Sequence, residues 1–212
     1  MRRIIRVKIF PSTFVSIMDA LTNELIELLN QKNKAAFEVV FGAYYPRLVY
    51  FAAEYVSHEE AKGLVQDAFV AFWEKNPALQ NNSQLQSYLY TSVKNNCLMR
   101  LRREQSQKKY INEAEYRMQN QLYVSALTEM DTSALTFQEI ELIIQKTMEE
   151  LPPRCREVFV ESRFNGKKNH EVAKALNISE KAVEAQITKA LKTFRITLKD
   201  YLPLVAYLFL SR

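Results

Sequence analysis

Side chains able to make or break bonds are sparse in this sequence. His58 and His170 are its only imidazoles, and Cys97 and Cys155 lie far apart without a Cys-x-x-Cys pair, so neither a metal set nor a redox pair is spelled out. His58 beside Glu59 and Glu60 is the one acid–base grouping, but adjacent residues of a helix face different ways and no second constellation supports them. With only 3 Gly in 212 residues there is no glycine loop to cradle a phosphate. No catalytic residue, metal, cofactor or small-molecule substrate is therefore expected. The net charge of +5 suits a polyanionic partner, and what matters is where the cations fall.

Two stretches set cations in a pattern that carries chemistry. The segment Asn169–Arg195 (NHEVAKALNISEKAVEAQITKALKTFR) has the layout of a helix-turn-helix. Val172, Leu176, Ile178, Val183, Ile187 and Leu191 recur at the spacing of a small shared core, with Ala173 and Ala182 where two helices must cross closely. Asn177 stands where the chain must leave the first helix, since Asn tolerates the left-handed conformation better than any residue but Gly. Ser179 caps the second helix. Its outward face then carries Glu180, Lys181, Glu184, Ala185, Thr188, Lys189, Lys192 and Arg195, with Gln186 beside them. Cations there can neutralise phosphates, Ala185 and Thr188 can approach thymine methyls, and Glu184 can accept from cytosine. The plainer reading is the solvated side of an amphipathic helix, but turn chemistry, spacing and basic bias agree on a groove reader.

The second place is Ser87–Arg103, where Tyr88 and Tyr90 alternate with Lys94, Asn95, Arg100, Arg102 and Arg103. Aromatic faces stack on unpaired bases while Lys and Arg follow the backbone, a combination that holds a single strand. Leu89, Val93 and Leu98 mark the face that must be buried, and one or both tyrosines can belong to packing instead. The polar run Asn76–Gln86, with Pro77, Asn81, Asn82 and Ser83, lacks periodicity and is expected to be a loop whose amides can meet exposed base edges.

Helices must carry all of this. Few glycines and apolar residues at helical spacing predict an all-α chain of two small domains, an N-terminal bundle and a C-terminal helix-turn-helix bundle, joined by a flexible linker. The spacing predicts two helices over Thr22–Val56, broken near Asn30–Asn33 and loosened at Pro46. A third is capped by Ser57 and runs to about Lys75, and a fourth covers Ser87–Arg103. The expected divisions are an N-terminal extension (1–18), a first domain (19–103), a linker with room for some helix (104–136), a second domain (137–200) and an apolar tail (201–212). Met18 is an alternative start, and the tail, too short to span a bilayer, is expected to pack on the second domain without stable membrane insertion. A cytoplasmic protein with two reduced thiols is the plain expectation.

Several stretches together resemble the sigma-70 family of bacterial RNA polymerase sigma factors. LPPRCREVFVESRFNGKKNHEVAKALNISEKAVEAQITKALKTFR is similar to the fourth conserved region, with Leu151, Pro152, Arg156, Val158 and Phe159 matching its opening. AKGLVQDAFVAFWEK resembles the second conserved region, and SYLYTSVKNNCLMRLRR the helix after it. With no third-region domain between, the arrangement is similar to the extracytoplasmic-function subgroup. The resemblance implies core RNA polymerase as a partner, through its beta-prime coiled coil and beta flap, together with promoter DNA and an anti-sigma factor. It assigns polymerase contact to Glu59, Glu60, Gln66 and Asp67, melted-strand contact to Asn81, Asn82, Ser83, Tyr88, Lys94, Asn95, Arg100 and Arg103, and duplex contact to Ser179, Lys181, Glu184, Ala185, Gln186, Thr188, Lys189 and Lys192. Lys62 and Gly63 depart from a usual acidic pair, Asn177 from a usual Gly and Ala182 from a usual Thr. A conventional helix-turn-helix regulator with a sensing first domain is the rival, and it predicts duplex binding without polymerase.

Overall fold

The computed structural model describes residues 23–107 and 114–205, so the N-terminal extension and the distal tail lie outside the described residues. Among the described residues there are only helices and their connections. Helix α1 covers residues 23–30, followed by α2 (Lys34–Ala53), α3 (His58–Lys75) and α4 (Asn82–Gln107). Asn33 caps α2 by accepting from the Ala36 amide at 3.1 Å, and α2 continues through Pro46. Ser57 and Glu60 form the reciprocal capping box expected where a serine precedes an acidic first turn. Apolar faces of α1 to α4 meet in a core that includes Val40, Leu48, Phe51, Val65, Phe69, Leu85 and Leu89. Phe37 sets its ring edge-on to Phe69 and Trp73, which fixes α3 across α2.

One expectation changes here and another gains detail. The run Asn76–Gln86 is a loop only as far as Asn81, because α4 begins at Asn82. The Asn81 side chain accepts from the Gln84 amide at 2.9 Å, as a helix cap does, and Leu85 and Leu89 already belong to the buried stripe. The linker, expected to be flexible and in part helical, carries helix α5 (Ala114–Glu129) docked on α4. Leu127 is fully buried, and Tyr123 meets Tyr55 at 5.7 Å, edge to face. Tyr123, Val124 and Leu127 form a short stripe at helical spacing within an otherwise polar run.

The second half opens with α6 (Ala134–Glu150), capped by Ser133 and halted at Leu151 by Pro152 and Pro153. Then come α7 (Pro153–Phe159), a π-helical turn over Val160–Phe164, α8 (Asn169–Leu176), α9 (Glu180–Thr197), a 3-10 turn and α10 (Leu202–Val205). Helix α7 packs on α9, with Phe159 and Phe194 stacked at 5.0 Å and both fully buried. The two halves share one continuous core through Tyr90, Phe137, Ile140 and Leu204. The tail therefore touches the first half as well as the second, since Tyr90 Oη donates to the Leu204 carbonyl at 3.2 Å.

Candidate nucleic-acid interfaces

Helices α8 and α9 cross over a compact core of Val158, Val172, Ala173, Val183 and Ile187, with Leu176, Ile178 and Leu191 packed against it. Asn177 adopts the left-handed conformation, φ 51°, that the turn requires. Ser179 Oγ accepts from the Ala182 amide at 3.2 Å and starts α9. With Val183, Ile187, Ala190 and Phe194 buried inward, Lys181, Glu184, Ala185, Thr188, Lys189 and Lys192 are all exposed. At 100° per residue they span roughly 140° of the helix circumference, one face free to enter a groove. Gln186 sits at the edge of that face, half-buried, and its carbonyl accepts from the Cys155 thiol at 3.3 Å. Arg156, a match to the resemblance motif, turns its guanidinium back on the Leu151 carbonyl at 3.2 Å and braces the proline corner ahead of the helix pair.

The surface at the start of α4 is built from separate elements. Asn30, at the end of α1, clamps the loop by donating to the Leu79 carbonyl at 2.8 Å and accepting from the Leu79 amide at 3.0 Å. Asn76 leaves α3 with φ 43° and donates back to the Asn30 carbonyl at 3.0 Å. Tyr44 Oη donates to Asn82 Oδ1 at 2.8 Å and accepts from Gln86 at 3.3 Å, and Arg47 lies over the Tyr44 ring at 5.5 Å. Asn30, Tyr44 and Arg47 were not singled out from sequence, because nothing in the spacing joins them to residues about 35 to 50 positions later. Asn82 Nδ2 and Ser83 Oγ each donate to Glu141 of α6 at 3.0 Å.

Further along α4 the two tyrosines part. Tyr90 is buried against Phe51 and Phe137, whereas Tyr88 is half-exposed beside Phe72, its hydroxyl pKa raised by burial. Lys94 Nζ donates to the Met130 carbonyl at 2.9 Å, while Asn95 and Arg103 are exposed. Arg100 pairs with Glu60, bringing together residues expected to serve different partners. Hydrogen bonding from Ser57, then the Arg100 guanidinium, holds the Glu60 carboxyl below its ordinary pKa despite some burial. Glu59 is exposed and pairs with Lys62 at 3.1 Å. Gln66 and Asp67 are exposed on α3, and Gln66 borders an open groove of about 680 Å³ floored by Phe37, Phe41, Phe69 and Trp73.

Among the described residues no group of three His, Cys, Asp or Glu side chains is placed to hold a metal, and no helix is long and apolar enough to cross a membrane. The groups gathered on α4 and α9 are hydrogen-bonding amides, cations and an aromatic ring. Fold and surface together are those of an all-helical protein carrying a helix-turn-helix with an exposed, largely cationic face.

Comparison with known proteins narrows this. The family described as Sigma-70 region 2 matches residues 40–107, and the family described as Sigma-70, region 4 matches residues 141–194. The chain belongs to the sigma-70 family and is a sigma factor, a non-enzymatic protein that directs transcription initiation. Carrying regions 2 and 4, it is of the extracytoplasmic-function type. The region 2 match occupies the place where a conventional regulator would carry a sensing domain. A solved structure described as "Structure of CnrH in complex with the cytosolic domain of CnrY" is similar at 20% identity, covering 85% of this chain and 98% of that chain with a TM-score of 0.33. No curated protein matches the sequence.

Proposed function

We propose that the chain binds core RNA polymerase with its first domain, holds one strand of the melted upstream promoter element along α4, and reads a more distant duplex element with α9. Its working divisions are residues 19–103, a linker 104–136 and residues 137–200. The observation that carries this reading is the segregation of α9 into a buried apolar face and an exposed face bearing Lys181, Glu184, Ala185, Thr188, Lys189 and Lys192. Gln66, which lines an aromatic-floored groove, forms the polymerase contact together with the exposed carboxylates of Asp67 and Glu59. Glu60 acts there by bracing α3 against α4 through Arg100. On the strand side Asn81, Asn82 and Ser83 meet base edges, Tyr88 offers a stacking face, and Lys94, Asn95 and Arg103 follow the backbone. Affinity comes largely from phosphates and polymerase, specificity from base contacts. An anti-sigma protein is the regulator this reading implies, and the cytoplasm is where it acts.

The test is binding of the purified chain to core polymerase, followed by run-off transcription on fragmented genomic DNA from its source. Tight association giving discrete transcripts absent with core alone is expected. Absence of association, together with polymerase-independent duplex binding, would overturn the proposal.

A further inference from the structure

The surface assigned to unpaired bases is already occupied by the chain itself. Glu141, on the exposed side of α6, accepts from Asn82 Nδ2 and from Ser83 Oγ, each at 3.0 Å. Lys94 Nζ donates to the Met130 carbonyl at 2.9 Å, and Ser87 Oγ to the Thr132 carbonyl at 2.7 Å. Thr91 and Thr132 hydroxyls meet at 2.8 Å, and the Leu204 carbonyl accepts a hydrogen bond from the Tyr90 hydroxyl at 3.2 Å. Linker, second domain and tail thus converge on one face of α4.

The donors matter more than the number of contacts. Asn82 Nδ2 and Ser83 Oγ are the groups that would meet acceptors on a base edge, and a carboxylate presents two acceptor oxygens in one plane to the same pair. It also carries negative charge, which opposes an approaching phosphate. Base and Glu141 therefore compete for the same donors. A second observation concerns how firmly the seam is held. Asn120 of α5 is 3% exposed, yet among the described residues neither its amide nitrogen nor its amide oxygen has a hydrogen-bond partner. An unsatisfied buried amide weakens the docking of the helix that carries it, where an apolar side chain of the same shape would strengthen it.

We propose that the seam is an autoinhibitory closure in which Glu141 stands in for a base at Asn82 and Ser83, and the unsatisfied Asn120 keeps the docked linker helix releasable. It rests on assigning this face of α4 to the melted strand. Before α4 can take a strand, α6 must withdraw Glu141 and the linker must release Lys94. The free chain is then a poor single-strand binder, and apparent affinity scales with the fraction open.

The test uses the full chain and two readouts. Amide hydrogen exchange across α5 reports opening, because an undocked helix of this length is marginal in water. Fluorescence anisotropy with a short, labelled, random-sequence single strand reports access to α4. Glu141→Ala is compared with Glu150→Ala, which removes the same charge from another exposed position on α6. Relative to that control, Glu141→Ala is expected to speed exchange and tighten strand binding by about fivefold for each of the two hydrogen bonds it removes, about 25-fold together. Asn120→Leu is expected to raise the melting temperature, slow exchange and weaken strand binding by about fivefold. Equality of Glu141→Ala and Glu150→Ala in both readouts would overturn the closure. Faster exchange without tighter strand binding would uphold the closure and remove this face of α4 from the melted-strand assignment. A lower melting temperature for Asn120→Leu would overturn the role given to Asn120.

Discussion

Replacing Lys189 by alanine is expected to flatten the salt dependence with which holoenzyme carrying this chain binds its promoter duplex. Lys189 is exposed on α9, and removing its side chain leaves the buried face of Val183, Ile187, Ala190 and Phe194 intact. Each cation that neutralises a phosphate releases condensed counterions, so one lost contact lowers the slope of log K against log salt by about 0.9. Between about 50 and 200 mM salt, where log salt changes by roughly 0.6, that contact accounts for about a 3.5-fold part of the wild-type loss in affinity. Removing Lys181, Lys189 and Lys192 together lowers the slope by about 2.7, which accounts for roughly 40-fold over the same range. The assay is fluorescence anisotropy on a labelled promoter duplex across that range, with promoter and scrambled sequences in parallel. A phosphate contact weakens binding to both by similar factors at the low-salt end. An unchanged slope for Lys189→Ala would refute its contact with phosphate, and an unchanged slope for the triple variant would refute the groove-facing orientation of α9.

Other expectations are as direct. Glu184→Ala should relax preference at one promoter position by about 1–3 kcal/mol, measured by selection from a randomised duplex, and an unaltered selected sequence would count against base contact. Phe194→Ala should cost about 3–5 kcal/mol in a urea melt, since the ring is fully buried and stacked on Phe159 at 5.0 Å, whereas a loss below about 1 kcal/mol would mean the site collapses without a cavity. Burial pushes the Cys97 thiol from an ordinary 9.0 up to about 12, and raises Cys155 as well. Both thiols should resist alkylation at pH 8 until the chain unfolds. Because the folded pKa is the higher one, the Cys97 contribution to stability is complete below about pH 9 and declines as pH rises toward 12, so fast labelling of native protein at pH 8 would contradict its burial.

The helix-turn-helix was legible because every level of its sequence points the same way. Asn177 supplies the left-handed turn, Ser179 the cap, and a 3.6-residue period separates core from surface. The start of α4 was less legible because Asn81, Asn82 and Ser83 are both loop formers and helix starters, and only the cap geometry at Asn81 decides between them. Helix α5 was hidden by composition, its buried stripe amounting to Leu127 with Tyr123, Val124 and a polar Asn120. Pairs such as Tyr44 with Asn82, Asn30 with Leu79 and Arg100 with Glu60 depend on tertiary approach that no local pattern encodes. The division between Tyr88 and Tyr90 is of the same kind, since both carry the same local signal and only the approach of Phe51 and Phe137 makes one of them core.

The chemistry of the seam bears on how such a chain can be both shut and usable. Most of its direct bonds join side chains of α4 to carbonyls of the linker and tail or to one exposed carboxylate, at Met130, Thr132, Leu204 and Glu141. Exchanges of this kind are worth about 0.5–1.5 kcal/mol each net, because water or a nucleic acid can replace the partner. The apolar part is different. Opening would uncover Phe137, Ile140 and Leu204, whose burial no solvent restores. Polar competition at Asn82 and Ser83 alone therefore cannot drive the opening. A partner that covers this apolar surface only when the halves are apart supplies the differential affinity needed, and promoter strand can then take the donors that Glu141 vacates. On this logic polymerase binding precedes strand capture, and single-strand affinity should rise on adding core polymerase to wild type by a larger factor than to Glu141→Ala.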